Sequence, residues 1–112
     1  MDDLIQEAKG RWSKAAEFDG GGKQIRVTNF EVLTTEEVTK RDGHPPMYPP
    51  FDGYVRRLTF EEDGYLGERR LDMNSRKFQN DLSRYGIKKG DVGILKRVPA
   101  ANKKHEWTWL KI

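Results

Sequence analysis

The stretch Lys23-Gln-Ile-Arg-Val-Thr-Asn-Phe-Glu-Val-Leu-Thr-Thr-Glu-Glu-Val-Thr39 decides how the chain folds. Ile25 and Val27 share one phase of a period-2 pattern, and Phe30 and Val32 share the opposite one. Strand side chains alternate between faces, so a slip of one residue near Thr28-Asn29 predicts a β-bulge in one long, bent strand. Two short strands joined by a kink are the alternative. Either arrangement lets the first strand serve two sides of a curved sheet.

Downstream, residues 40–53 hold Asp42-Gly43 and Pro45, Pro46, Pro49 and Pro50, which predicts a stiff loop because proline has no ladder donor. Residues 54–61 read as a second strand. Asp63-Gly64 signals a hairpin, with a third strand from Tyr65 to Met73. In that strand Arg69 shares a face with Leu71 and Met73, and Arg70 lies opposite. Asn74-Ser75 can cap a helix whose Phe78, Leu82 and Tyr85 form one apolar face and which Gly86 can end. That face is expected to bury Phe78 and Leu82. Lys89-Gly90-Asp91 turns into a fourth strand, Val92 to Val98. Pro99 ends it, residues 100–105 form a loop, and Glu106 to Ile112 make a fifth strand.

Upstream, Leu4/Ile5, Ala8, Trp12 and Ala15/Ala16 recur at helical spacing, so residues 2–16 can be read as a short helix capped by Asp2 or Asp3, with an irregular segment as the alternative because alanine contributes little burial. Trp12 would anchor it to the sheet. Gly20-Gly21-Gly22 breaks the helix before the first strand.

The 112 residues fit one domain. Charged residues make up 35% of the chain, above the ~25% usual for globular proteins. Twelve aromatics supply the large side chains that a small core needs. The chain has no cysteine, which removes thiolate ligands and thiol nucleophiles and points to a reducing, cytoplasmic setting. The acidic start lacks the apolar run of a signal peptide, and no stretch is long enough to cross a bilayer, so no membrane association is expected. The net charge of +3 is uneven, with −2 in residues 1–22 and +5 in the remainder. A basic body suits a polyanionic partner, although charge also serves simple solubility.

The order strand, strand, strand, helix, strand, strand, with a bulged first strand, resembles the OB-fold, a five-stranded Greek-key barrel. The likeness covers residues 23–112, with 1–22 as an appended segment. The stretch Arg70-Leu-Asp-Met-Asn-Ser-Arg-Lys-Phe-Gln-Asn-Asp-Leu82, followed by Lys89-Gly-Asp-Val-Gly-Ile-Leu-Lys-Arg97 and Trp107-Thr-Trp-Leu-Lys-Ile112, is similar to small viral or prokaryotic single-stranded DNA-binding OB proteins. That likeness is one of element order and side-chain character.

The resemblance implies that strands two and three, flanked by the loops joining strands one–two and four–five, bind a single strand. Those regions hold Lys40, Arg41, His44, Tyr48 and Phe51 in the first loop and Tyr54, Arg56 and Arg57 on strand two. Arg69 and Arg70 lie on strand three, with Lys103, Lys104 and His105 in the second loop beside Trp107. Cations neutralise phosphates and aromatic faces stack on unpaired bases. Single-stranded DNA is expected ahead of RNA, with little sequence preference. Glu61, Glu62, Asp63 and Glu68 make an acidic corner that the strand must avoid.

Each feature has a plainer reading. Trp107 and Trp109 share one side of the last strand, and in a small barrel such pairs more often fill the core. The arginines can pair across strands with Glu31, Glu61 or Glu68. Pro46-Met-Tyr-Pro49 matches a minimal proline-rich ligand pattern, but a rigid spacer explains it as well. His44 and His105 are far apart with no carboxylate at ligand spacing, and no phosphate-loop pattern occurs, so neither catalysis nor a cofactor is expected. The competing function is a non-catalytic protein–protein adaptor, with a homo-oligomer or another protein as partner. A basic groove interleaved with exposed aromatics favours nucleic acid. An apolar patch, or carboxylates pairing every arginine of strands two and three, favours the adaptor.

Overall fold

The computed structural model describes residues 12–112. Five strands form one sheet: β1 (Lys23–Thr34), β2 (Tyr54–Glu62), β3 (Arg69–Met73), β4 (Val92–Pro99) and β5 (His105–Lys111). Their order across the sheet is β3-β2-β1-β4-β5, and every neighbouring pair is antiparallel. Two helices, α1 (Thr35–Asp42) and α2 (Arg76–Arg84), complete the chain with short 3-10 turns at Ala15–Phe18 and Ala101–Lys103.

The bulge falls where the sequence slips phase. Val27 pairs with Phe60 while Asn29 pairs with Thr59, leaving Thr28 unmatched. The extra residue turns Phe30 toward the core face that Ile25 and Val27 occupy before it. Asn29, Glu31 and Leu33 are thereby sent to the opposite face.

Residues 35–39, expected to continue the strand, instead open α1. Thr34 caps it, with its side chain accepting from the Glu37 amide at 3.1 Å while the Glu37 carboxylate accepts from the Thr34 amide at 3.2 Å. Glu36 and Glu37 sit at the positive end of the helix and Lys40 and Arg41 at the negative end. Gly43 stops it with φ +78°, a left-handed conformation that glycine adopts without strain. These caps outweighed the β-branched residues that read as strand. Strand three is also shorter than expected, because residues 65–68 belong to the turn.

The main core lies on one face of the sheet. Ile25, Val27, Leu58, Phe60, Leu71, Leu95, Trp107 and Trp109 bury there with Phe78 and Leu82 of α2. Phe78 and Leu82 thus pack as their spacing requires, whereas Tyr85, at the C-cap just beyond α2, stays exposed. Trp107 meets Phe78 edge-on at 4.9 Å between ring centroids. Its amide, on the open side of β5, donates to the buried Asp81 carboxylate of α2 at 3.0 Å. A second, smaller cluster joins Leu33 and Val55 on the opposite face to Val38 of α1.

The expected helix over residues 2–16 lies mostly outside the described residues; the described part has Trp12 in a single parallel bridge to Arg70 and a 3-10 turn from Ala15. Residues 12–22 also contribute to the core. Phe18 is fully buried between Phe60 of β2 and Trp107 of β5, with centroids at 5.7 and 5.5 Å. The sheet is not closed into a barrel, since no ladder joins β3 to β5 among the described residues. No helix among these residues is long and apolar enough to cross a membrane.

Candidate nucleic-acid interface

The face of β1, β2 and β3 opposite the main core is polar. Register stacks its side chains into two rungs, Glu31–Arg57–Asp72 and Asn29–Thr59–Arg70. α1 stands on one end of this face because Val38 covers Leu33 and Val55. At the other end, the turn before β4 docks on the bulge: the Gly90 amide donates to the Val27 carbonyl at 2.7 Å, and the Val27 amide donates to the Asp91 carbonyl at 2.9 Å. Between these walls lies a cleft of about 430 Å³ lined by Thr28, Asn29, Arg57, Thr59, Arg70 and Lys89, with Glu31, Arg41 and Glu68 completing its rim.

The electrostatics are layered. Arg57 is buried and hydrogen-bonds both Asp72 (2.9 and 3.1 Å) and Asp42 (2.7 and 3.3 Å). Burial by itself would lower its pKa, but the two carboxylates reverse this and raise it above the ordinary arginine value. Arg70 reaches Asp42 only at 3.8 Å and keeps 31% of its side chain exposed. Arg41 forks onto Glu31 at 3.0 and 2.8 Å and is half exposed. Its pKa is raised chiefly by that hydrogen bond. Lys40 and Lys89 are exposed and form no ion pair among the described residues.

Over the two central arginines sits Trp12. The Ser13 amide donates to the Arg70 carbonyl at 2.8 Å, which holds the N-terminal segment along β3. The indole then lies 5.1 Å from the Arg57 guanidinium and 5.8 Å from that of Arg70. The residue is 37% exposed, so it is part open to solvent beside two cations.

The residues singled out from the sequence divide into groups. Arg41, Arg57 and Arg70 meet at the cleft, and Lys40 stands on the same helix as Arg41. Tyr48 and Phe51 are exposed in the proline loop, and Tyr54 is 43% exposed where the loop enters β2. None of these three lines the cleft. Lys104 is exposed on the β4–β5 connection, away from the cleft lining, and the Lys103 side chain lies outside the described part.

Three of these residues are withdrawn from solvent. Arg56 and Arg69 are buried. Arg56 pairs with Asp52, and Arg69 with Glu17 and Glu62. Trp107 lies in the core with 3% exposure, which leaves no ring face for a base. Phase explains all three. They share faces with Leu58, Leu71 and Trp109.

Trp12, Lys89, Asn29 and Thr59 were not legible as site residues. Trp12 read as an anchor and Lys89 as turn punctuation. Only the docking of the segment and turn onto the sheet brings them together.

No protein-family model, no curated protein and no solved structure matches this chain.

Proposed function

We propose that the chain is a non-catalytic module that binds single-stranded nucleic acid, DNA ahead of RNA, on the outer face of β1–β3. The observation that carries this reading is the part-exposed Trp12 indole within cation–π distance of Arg57 and Arg70, two arginines that also line a polar cleft. A base can stack on the indole while its phosphates meet Arg70, Arg41, Lys40 and Lys89. Arg57 acts from beneath, holding the ring from its buried ion pair. The Arg41–Glu31 pair is open to solvent, which screens it, so a phosphate can displace its carboxylate at small cost. The same reading takes the sheet as an open variant of the OB-like barrel, with Phe18 bridging its two halves.

One observation favours the adaptor instead. Each of Arg56, Arg57, Arg69 and Arg70 has a carboxylate partner, which weakens the field that a polyanion would meet. Titrating the chain against labelled oligo-dT, oligo-U and a duplex control at two salt concentrations separates the readings. The single strands are expected to bind at low salt and to lose affinity steeply as salt rises. Trp12→Ala is expected to cost ~1–3 kcal/mol with little dependence on base, as for a lost stacking contact. If the intact chain ignores single strands at low salt, the adaptor reading replaces this one.

A further inference from the structure

The segment between α1 and β2 carries four prolines and the most exposed rings of the described chain, yet it is tied down from within. Met47, Tyr48 and Phe51 project outward, at 83%, 72% and 111% exposure. Beneath them Arg56, only 2% exposed, hydrogen-bonds the Asp52 carboxylate twice, at 2.9 and 2.7 Å. The same guanidinium donates to the Tyr54 and Asn74 carbonyls and to the Gln79 side chain at 3.0–3.1 Å. Asn74 completes the clamp, its side-chain nitrogen donating to the Tyr48 carbonyl at 2.7 Å.

We infer that Arg56 is a positioning residue which, through Asp52, holds the proline-rich loop pre-formed so that Tyr48 and Phe51 can stack on unpaired bases. This rests on the single-strand reading above and extends it to a second station. Ordering an exposed loop on binding costs conformational entropy, and a loop stiffened by prolines and tied at Tyr48 and Asp52 has less backbone freedom to lose. The chain enters this loop directly from α1, the helix that supplies Arg41 to the cleft, so the two stations are consecutive along the chain. Asp52 stays ionised under ordinary conditions. The Arg56 hydrogen bonds are the main cause holding its pKa at about 2, despite partial burial. The clamp is therefore intact at any pH used for binding.

The test exploits opposite signs. Asp52→Ala removes a negative charge, so if Arg56 were a phosphate contact masked by Asp52, affinity for oligo-dT would rise. As a loop anchor, its loss should weaken binding about fivefold or more, the lower end of one stacking contact. Asn74→Ala, which releases the Tyr48 carbonyl without changing charge, should act in the same direction. In a Tyr48→Ala/Phe51→Ala background, Asp52→Ala should cause no further loss, because nothing remains to be positioned. Unchanged or tighter binding by Asp52→Ala overturns the inference, and so do losses that add fully to those of the ring substitutions. Both outcomes leave the cleft reading standing as long as the unsubstituted chain binds oligo-dT. Failure of that chain to bind overturns the cleft reading and this inference together.

Discussion

Gly93 shows how little space the core leaves at a single position. It pairs with Lys111 on one side and Ile25 on the other, directly under the Trp109 indole. A Cβ there would lie 2.5 Å from the nearest Trp109 ring atom and 2.7 Å from the Leu110 carbonyl oxygen, closer than real contacts allow. Gly93→Ala is expected to destabilise the fold by ~1–3 kcal/mol through overpacking, read as a lower urea midpoint. A midpoint equal to that of the unsubstituted chain would mean that the indole can swing aside. Trp107 illustrates the same crowding from the ligand's side. Its neighbours on the core face leave a ring of the right chemistry with no access to solvent.

Among the elements, α1 has the greatest leverage on the candidate site, because it supplies Arg41 and Asp42 and walls one end of the cleft. It is only eight residues long, too short to persist alone, so its caps and the single buried Val38 hold it. Thr34→Ala removes the acceptor for the Glu37 amide and is expected to cost ~0.5–2 kcal/mol. The same substitution should weaken single-strand binding, since a frayed helix no longer fixes Arg41. Denaturation and anisotropy titrations on one variant check both effects. Stability unchanged by the substitution would show that tertiary packing alone maintains the helix.

At the scale of the molecule, the N-terminal segment is joined to the sheet by a charge network centred on Glu17. Its carboxylate accepts from the Lys14 amide (2.8 Å), Lys23 (2.8 Å) and Arg69 (3.1 Å), while Glu62 also pairs with Lys23 and Arg69. Burial pushes the Glu17 pKa up, but these hydrogen bonds and the Arg69 charge outweigh it and hold it at about 2, below the ordinary 4.5. A depressed carboxylate pKa means that the folded state binds its proton less readily than the unfolded state. The stabilisation is thus complete above pH 4.5 and is lost as pH falls toward 2. The urea midpoint is expected to drop across that window, and Glu17→Gln should flatten the drop while lowering stability at neutral pH. Trp12 and Phe18 flank this attachment, so acid should expose the indole before the sheet itself melts. Equal pH slopes in the two proteins would remove Glu17 from this role.

Alternation and spacing determined the elements that bury apolar surface. The bulge at Thr28, the five strands and the helix burying Phe78 and Leu82 all follow from which residues must leave water, and that is a local, periodic property. The cap of α1 was present as Thr34 and Glu37, but β-branched neighbours masked it. The candidate site was legible only in part. Residue type marked Arg41, Arg57 and Arg70 as cations, whereas their worth depends on Asp42, Asp72 and Trp12, which come from three separate parts of the chain. Pairing and burial of charge are set by distances between elements, and no spacing along the chain encodes them. Only the tertiary structure therefore decided that Arg56 and Arg69 are buried braces, that Trp107 is core, and that Trp12 lies part-exposed beside two arginines.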